Sequence, residues 1–200
     1  MPILSEPLPL TNLSLWQQTT FAAALLERML PNYQIFSQAV DFGDFKLLRN
    51  QLDLVWQRLS QGKIKINFSV QLEKLEDEIP DVDNYDFFGV YPALDTCMAL
   101  GSLLQGMQDK DDETIANVSL LSQSSVSYYL EILLASELEQ QDDIVINQLD
   151  IEQHPLMLWE IASQKELFEL IKHSNESQQT CQQLKALALS EGLSNLGIEL

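Results

Sequence analysis

Apolar residues recur at steps of three and four along most of this chain, and that spacing leaves it little to fold into except helices. The clearest stretch is Phe45, Leu48, Leu52, Val55 and Leu59, with Lys46, Arg49, Gln57 and Arg58 off the stripe. Asp44 stands where an N-cap is needed, and Gly62 stands where the helix must stop. Upstream, residues 21–26 are apolar on every face, so a helix through them belongs at the centre of the core. Thr11 and Asn12 are expected to cap that first helix. Pro31 is expected to end it and to open a second, short helix carrying Tyr33, Ile35, Phe36, Ala39 and Val40, stopped by Gly43.

The same pattern continues downstream. Asn67 begins a helix with Phe68, Leu72, Leu75 and Ile79 on one face, and Pro80 stops it. Residues 81–91 read as an acidic, aromatic connection, after which Pro92 opens a helix striped by Ala93, Cys97, Leu100, Leu104 and Met107. A charged turn over 109–113 leads into a long helix over 114–138. Pro155 starts a helix whose inward stripe is Leu158, Ile161, Ala162, Phe168 and Ile171. Asn175 with Gln178 resembles a capping box for the last helix, which Gly192 ends. Residues 63–66 alternate as a strand would, and 144–146 suggest a second short extended piece. No repeat and no Gly- or Pro-rich linker divides the chain. The expectation is one all-α domain over residues 1–200, a bundle of about eight helices with no substantial sheet and an irregular segment over 1–10.

Charge excludes more than it assigns. Thirty acids against eleven bases give a net charge of −19 and a sequence pI near 4.2. Residues 101–200 are the more one-sided half, with 17 acids and 4 bases against 13 and 7 in residues 1–100. Binding phosphate requires Lys and Arg to displace counterions, so neither direct nucleic-acid binding nor an anionic membrane surface is expected. A basic protein partner is the complementary expectation. The run from Met1 to Leu15 has no Lys or Arg, carries Glu6 and is broken by Pro2, Pro7 and Pro9, unlike a signal peptide. The longest apolar run is six residues, well short of a membrane span. With only Cys97 and Cys181, in no metal or redox spacing, the chain is expected to be cytoplasmic.

Five stretches carry a family resemblance: LWQQTTFAAALLERMLPNY at 15–33, DFGDFKLLRNQLDLVW at 41–56, NFSVQLEKLEDEIP at 67–80, GVYPALDTCMAL at 89–100 and SNLGI at 194–198. Together they resemble the bacterial YjaG-like family, a domain-of-unknown-function group, over nearly the whole chain. The resemblance implies an all-α, single-domain fold. It brings no activity, cofactor or catalytic residue with it.

The familiar catalytic signatures are missing. No Glu is followed three residues later by His, so the helical di-iron pattern is absent, and His154 and His173 are the only histidines. No nucleophile elbow, P-loop or dinucleotide fingerprint occurs. Cys97 and Cys181 lie on apolar stripes, where cysteine behaves as a small hydrophobe. No catalytic residue and no cofactor is predicted. The candidate cation ligands are Asp81, Asp83 and Asp86, in the densest acidic region. They miss the EF-hand pattern, and a solvated helix end with Asp residues capping the turn before Pro92 is the favoured account of them. Glu27 and Arg28 interrupt the most apolar helix, and Asp95 lies one turn into a later one. Structural ion pairing explains all three, while a polar pocket over Glu27, Arg28 and Asp95 is the sharper alternative.

These features favour a non-catalytic acidic protein that binds another protein, with self-association as a further expectation. The alternative is a small-ligand-binding protein or enzyme using a carboxylate-held divalent cation or the Arg28/Asp95 pocket. The first reading requires an apolar or aromatic patch bordered by carboxylates, and the second a closed pocket with convergent polar groups.

Overall fold

A computed structural model describes residues 8–138 and 148–199, so the extended piece expected at 144–146 lies outside the described residues. After a 3-10 turn at Leu10–Asn12 come α1 (Leu15–Val40), α2 (Phe45–Gln61), α3 (Phe68–Glu76), α4 (Val90–Asp109), α5 (Asp112–Leu138), α6 (Gln148–Glu152), α7 (Pro155–Lys172) and α8 (Gln178–Ala188). The fold is all-α, and no strand is present among the described residues. Residues 63–66 adopt no regular structure. The helix α1 runs through the middle and packs against α2, α4, α5, α7 and α8, as its all-round apolar centre demands.

Pro31 does not end α1. One helix of 26 residues passes straight through it, so the expected first two helices are one. A mid-helix proline removes a backbone N–H and strains the preceding turn, costing about 3 kcal/mol. The carbonyl deprived of its donor is that of Glu27, and tertiary donors reach the next two: the Asn195 N–H donates to the Arg28 carbonyl at 3.0 Å, and the Thr96 hydroxyl to the Met29 carbonyl at 3.1 Å. Beyond Pro31 the same helix buries Tyr33 and Phe36. Asp41, in the left-handed region at φ 53°, ends it.

Other boundaries shift by a residue or two for similar local reasons. Ser14, in a complete capping box with Gln17, caps α1 in place of Thr11 or Asn12. Ser177, accepting from the Thr180 N–H, caps α8 in place of Asn175. Asp44, Asn67 and Pro155 start α2, α3 and α7 as expected. Gly43 closes the tightest corner. At φ +70° it faces the Tyr33 hydroxyl and the Glu78 carboxylate, and Glu78 accepts the Asp44 N–H at 2.5 Å and the Tyr33 O–H at 3.1 Å.

The inward face of α7 differs most from its apolar pattern. Leu158 points outward and is 51% exposed, and Ala162 is exposed too. The buried positions are Met157, Glu160, Gln164, Leu167, Phe168 and Ile171. Two polar side chains therefore face the core because their partners, Ser119, Ser122 and Gln123, project from α5.

Candidate functional site

Glu27 and Arg28 are adjacent in α1, so their side chains leave the helix about 100° apart and meet different neighbours. Glu27 faces α2 and α8. Its carboxylate is gripped by both Arg49 nitrogens at 2.6 and 2.8 Å, by the Trp56 indole N–H at 2.7 Å and by the Lys185 ammonium at 3.0 Å. Burial opposes ionisation of Glu27, but Arg49 and Lys185 outweigh it and hold the carboxyl below its usual range.

Arg28 faces α7, where it pairs with Glu160 at 2.6 Å and lies 4.4 Å from the Trp159 ring centre. Both charged side chains are essentially inaccessible. The second Glu160 oxygen accepts from the Ser122 hydroxyl at 2.6 Å and the Gln164 amide at 2.7 Å. Asn195 extends the network by donating to Ser122 and accepting from the Asn32 amide at 2.8 Å. A cleft beside Arg28 and Trp159 has a cavity volume of about 20 Å³, room for roughly one water.

Asp95 meets neither of these groups. It lies half-buried on α4 opposite the Ser125 hydroxyl of α5, and burial pushes its carboxyl up to about 6 against a smaller opposing pull from that hydroxyl. Ser125 itself makes no well-formed side-chain hydrogen bond among the described residues, so the pair is loose. The structure therefore distributes Glu27, Arg28 and Asp95 over three different contacts.

The three acidic-loop candidates are all exposed. Asp81 accepts from the Asp83 N–H at 3.1 Å and from the Asn84 amide at 3.3 Å, which makes it the cap of the 3-10 turn at Val82–Asn84. Among the described residues, no group of three or more His, Cys, Asp or Glu side chains is placed to share a metal ion. Cys97 and Cys181 are free thiols, both buried, and burial pushes each pKa upward, Cys181 to about 11. Thiols so protonated at neutral pH are poor nucleophiles.

An open feature among the described residues lies along α4. Tyr91, Asp95, Met98 and Ser102 fall at steps of four, three and four, hence on one stripe of that helix. Near its middle a groove of about 370 Å³ opens between α3 and α4, lined by Leu72, Leu75, Ile79, Met98 and Gly101 and by the polar Glu76, Ser102, Gln105 and Thr114. Gly101 keeps the two helices close, with a Leu75 methyl 3.6 Å from where a Cβ would stand. The short α3 buries only Leu75 completely, and Met98 is 47% exposed, so this apolar surface is incompletely covered. At the other end of the stripe Tyr91 meets Tyr128 edge to face at 4.7 Å, and Phe88 packs near Tyr128 and Tyr129 at 5.9 and 5.3 Å. Periodicity alone misses this face, because its exposed members follow the same helical spacing as the core.

No described helix is long and apolar enough to cross a membrane. The family model described as a protein of unknown function, DUF416, matches residues 8–199. The uncharacterised protein YjaG of Escherichia coli K12 is 38% identical over 194 residues, spanning 96% of this chain and 94% of that protein. An uncharacterised protein of Haemophilus influenzae is 37% identical over 197 residues, spanning 95% and 94%. The crystal structure of a DUF416 family protein from Shewanella baltica OS155 superposes with a TM-score of 0.85 at 36% identity, covering 98% of this chain and all of that one. With the match running over almost its full length, this chain belongs to the DUF416 family, whose function is unknown.

Proposed function

We propose that this protein is a non-catalytic, cytosolic binding module that seats an apolar segment of a basic partner protein in the groove between α3 and α4. The observation that carries this reading is the groove itself: about 370 Å³, open to solvent and lined mainly by apolar residues, with Glu76 among its polar members. Apolar walls favour a buried side chain, and the −19 charge of the chain favours Lys or Arg in the flanks of what binds. The competing ligand pocket at Arg28 has space for about one water, and the charge of Arg28 is already matched by Glu160. Free thiols at Cys97 and Cys181 suit a reducing compartment.

The test is capture of partners by the tagged protein at native abundance, at low and moderate salt, alongside a Met98→Glu variant. The reading expects one stoichiometric partner that survives moderate salt and is lost with Met98→Glu. A basic assortment that washes off with salt, or a partner indifferent to Met98→Glu, would refute it. Recovery of a second copy of this chain would assign the groove to self-association instead.

A further inference from the structure

Among the described residues Asp95 and Glu78 are inward-facing carboxylates with no cation paired to them, and only Glu78 is held by firm hydrogen bonds, from the Asp44 N–H and the Tyr33 hydroxyl. Glu27 has Arg49 and Lys185, and Glu160 has Arg28. Neither α4 nor α5, the helices that flank Asp95, contains a single Lys or Arg over residues 90–109 and 112–138. Among the described residues no cation forms an ion pair with it, and the polar group opposite it is the Ser125 hydroxyl, which makes no well-formed hydrogen bond. A carboxylate kept half-buried without a counter-charge is costly, and the cost is relieved when a ligand brings the charge.

The surroundings fit a particular kind of cation. Tyr91 stands one helical turn before Asp95 on the same stripe, and Tyr128 stands one turn after Ser125 on α5. Their rings meet at 4.7 Å with an interplanar angle of 68°, and Phe88 joins them at 6.4 and 5.9 Å. Tyr91 is 36% exposed, so part of this aromatic cluster remains open to solvent one helical turn from Asp95. Aromatic faces next to an acid select an organic cation over a hydrated metal ion. A planar guanidinium both stacks on rings and forks onto a carboxylate, which an ammonium does less well.

We propose that Asp95, Tyr91 and Tyr128 form a seat for an arginine side chain presented by the partner. Its occupant rests on the binding-module reading, because Asp95 and the groove residue Met98 share one face of α4 about one turn apart. A bound segment then needs an apolar residue and an arginine separated by one or two helical turns.

The test separates the seat from the groove. Ring resonances of Tyr91 and Tyr128 in the full chain are followed by NMR during titration with N-acetyl-arginine amide. Titration with N-acetyl-norleucine amide at matched ionic strength supplies the comparison. The expected result is a saturable shift of both rings with the arginine probe alone, abolished in Asp95→Asn and retained in Met98→Glu. No shift in the wild type, or an equal shift in Asp95→Asn, overturns the seat whatever the partner capture shows. Loss of partner capture in Met98→Glu with the arginine response intact supports both proposals. An arginine response with no partner captured leaves the seat standing and removes the groove.

Discussion

Replacing Asp95 by Asn is expected to stabilise this protein, by an amount that grows with pH. In the unfolded chain the carboxyl titrates near its ordinary value of 3.8, whereas burial holds it at about 6 in the fold. The folded state thus binds the proton more tightly, and stability contributed by this group is present at low pH and lost as pH rises toward 6. A difference of roughly 2 pH units corresponds to about 3 kcal/mol of cost once the group is ionised in both states. At pH 5 the same linkage leaves about 1.6 kcal/mol, because the folded carboxyl is still mostly protonated there. The Asn variant escapes this cost, so its advantage should widen by about 1.4 kcal/mol between pH 5 and pH 8 and change little above pH 7. For a chain of 200 residues, 3 kcal/mol is on the order of 6–12 °C in Tm. Urea and thermal unfolding of both proteins from pH 5 to pH 8 measure it, avoiding the pI near 4.2 where solubility is poorest. The other carboxylates cancel in the difference between the two proteins. A gap that is constant with pH, or that narrows as pH rises, would refute the reading of Asp95 as an uncompensated buried acid.

Three further outcomes follow from contacts elsewhere. Gly43→Ala should cost about 2–4 kcal/mol in urea unfolding, since its Cβ would overlap the Tyr33 hydroxyl and lie 2.7 Å from the Glu78 carboxylate at a φ of +70°. Adding Tyr33→Phe should recover part of that loss, and an additive double mutant would count against the clash. Glu160→Ala should cost about 3–5 kcal/mol by stranding Arg28, whereas Arg28→Met with Glu160→Leu should cost far less. Equal losses in the two variants would mean that packing, not charge, dominates the site. Neither Cys97 nor Cys181 should react with a thiol reagent at neutral pH until denaturant is added, so rapid labelling of the native protein would contradict their raised pKa values and burial.

What the sequence revealed divides along the distance over which each feature is determined. Helix identity is local, and the stripe at Phe45–Leu59 with Asp44 before it and Gly62 after it folds as its spacing dictates. The continuation of α1 through Pro31 is not local: the Asn195 N–H that reaches the Arg28 carbonyl lies 164 positions beyond the proline, and no local rule anticipates that donor. The inward Glu160 and Gln164 of α7 are likewise explained only by Ser119, Ser122 and Gln123 on α5. Leu158, which the apolar pattern turns inward, is displaced by that polar face. Of the candidate polar residues, Glu27, Arg28 and Asp95 were conspicuous as charges in apolar helices, but their partners were not. One signal for Asp95 was readable: no Lys or Arg occurs between residues 90 and 109 or between 112 and 138, so no charge on its own helix or on α5 could answer it.

Comparison of four inward-facing acids shows why the α4 face, and not the more elaborate polar network, is the place to look for binding. Glu27 spends both oxygens on Arg49, Lys185 and Trp56. Glu160 spends one oxygen on Arg28 and the other on Ser122 and Gln164. Glu78, without a cation, accepts the Asp44 N–H and the Tyr33 hydroxyl and so fixes the corner at Gly43. Each of these groups is satisfied within the fold, and a ligand could gain access only by breaking bonds worth more than a new contact would return. Asp95 has only the loosely held Ser125 hydroxyl among the described residues, yet it is half-buried, one helical turn from Tyr91 and one turn from an open apolar groove. Interaction energy left unused by folding is what remains available for recognition. In this molecule a carboxylate without a paired cation and an incompletely covered apolar surface coincide on one helix.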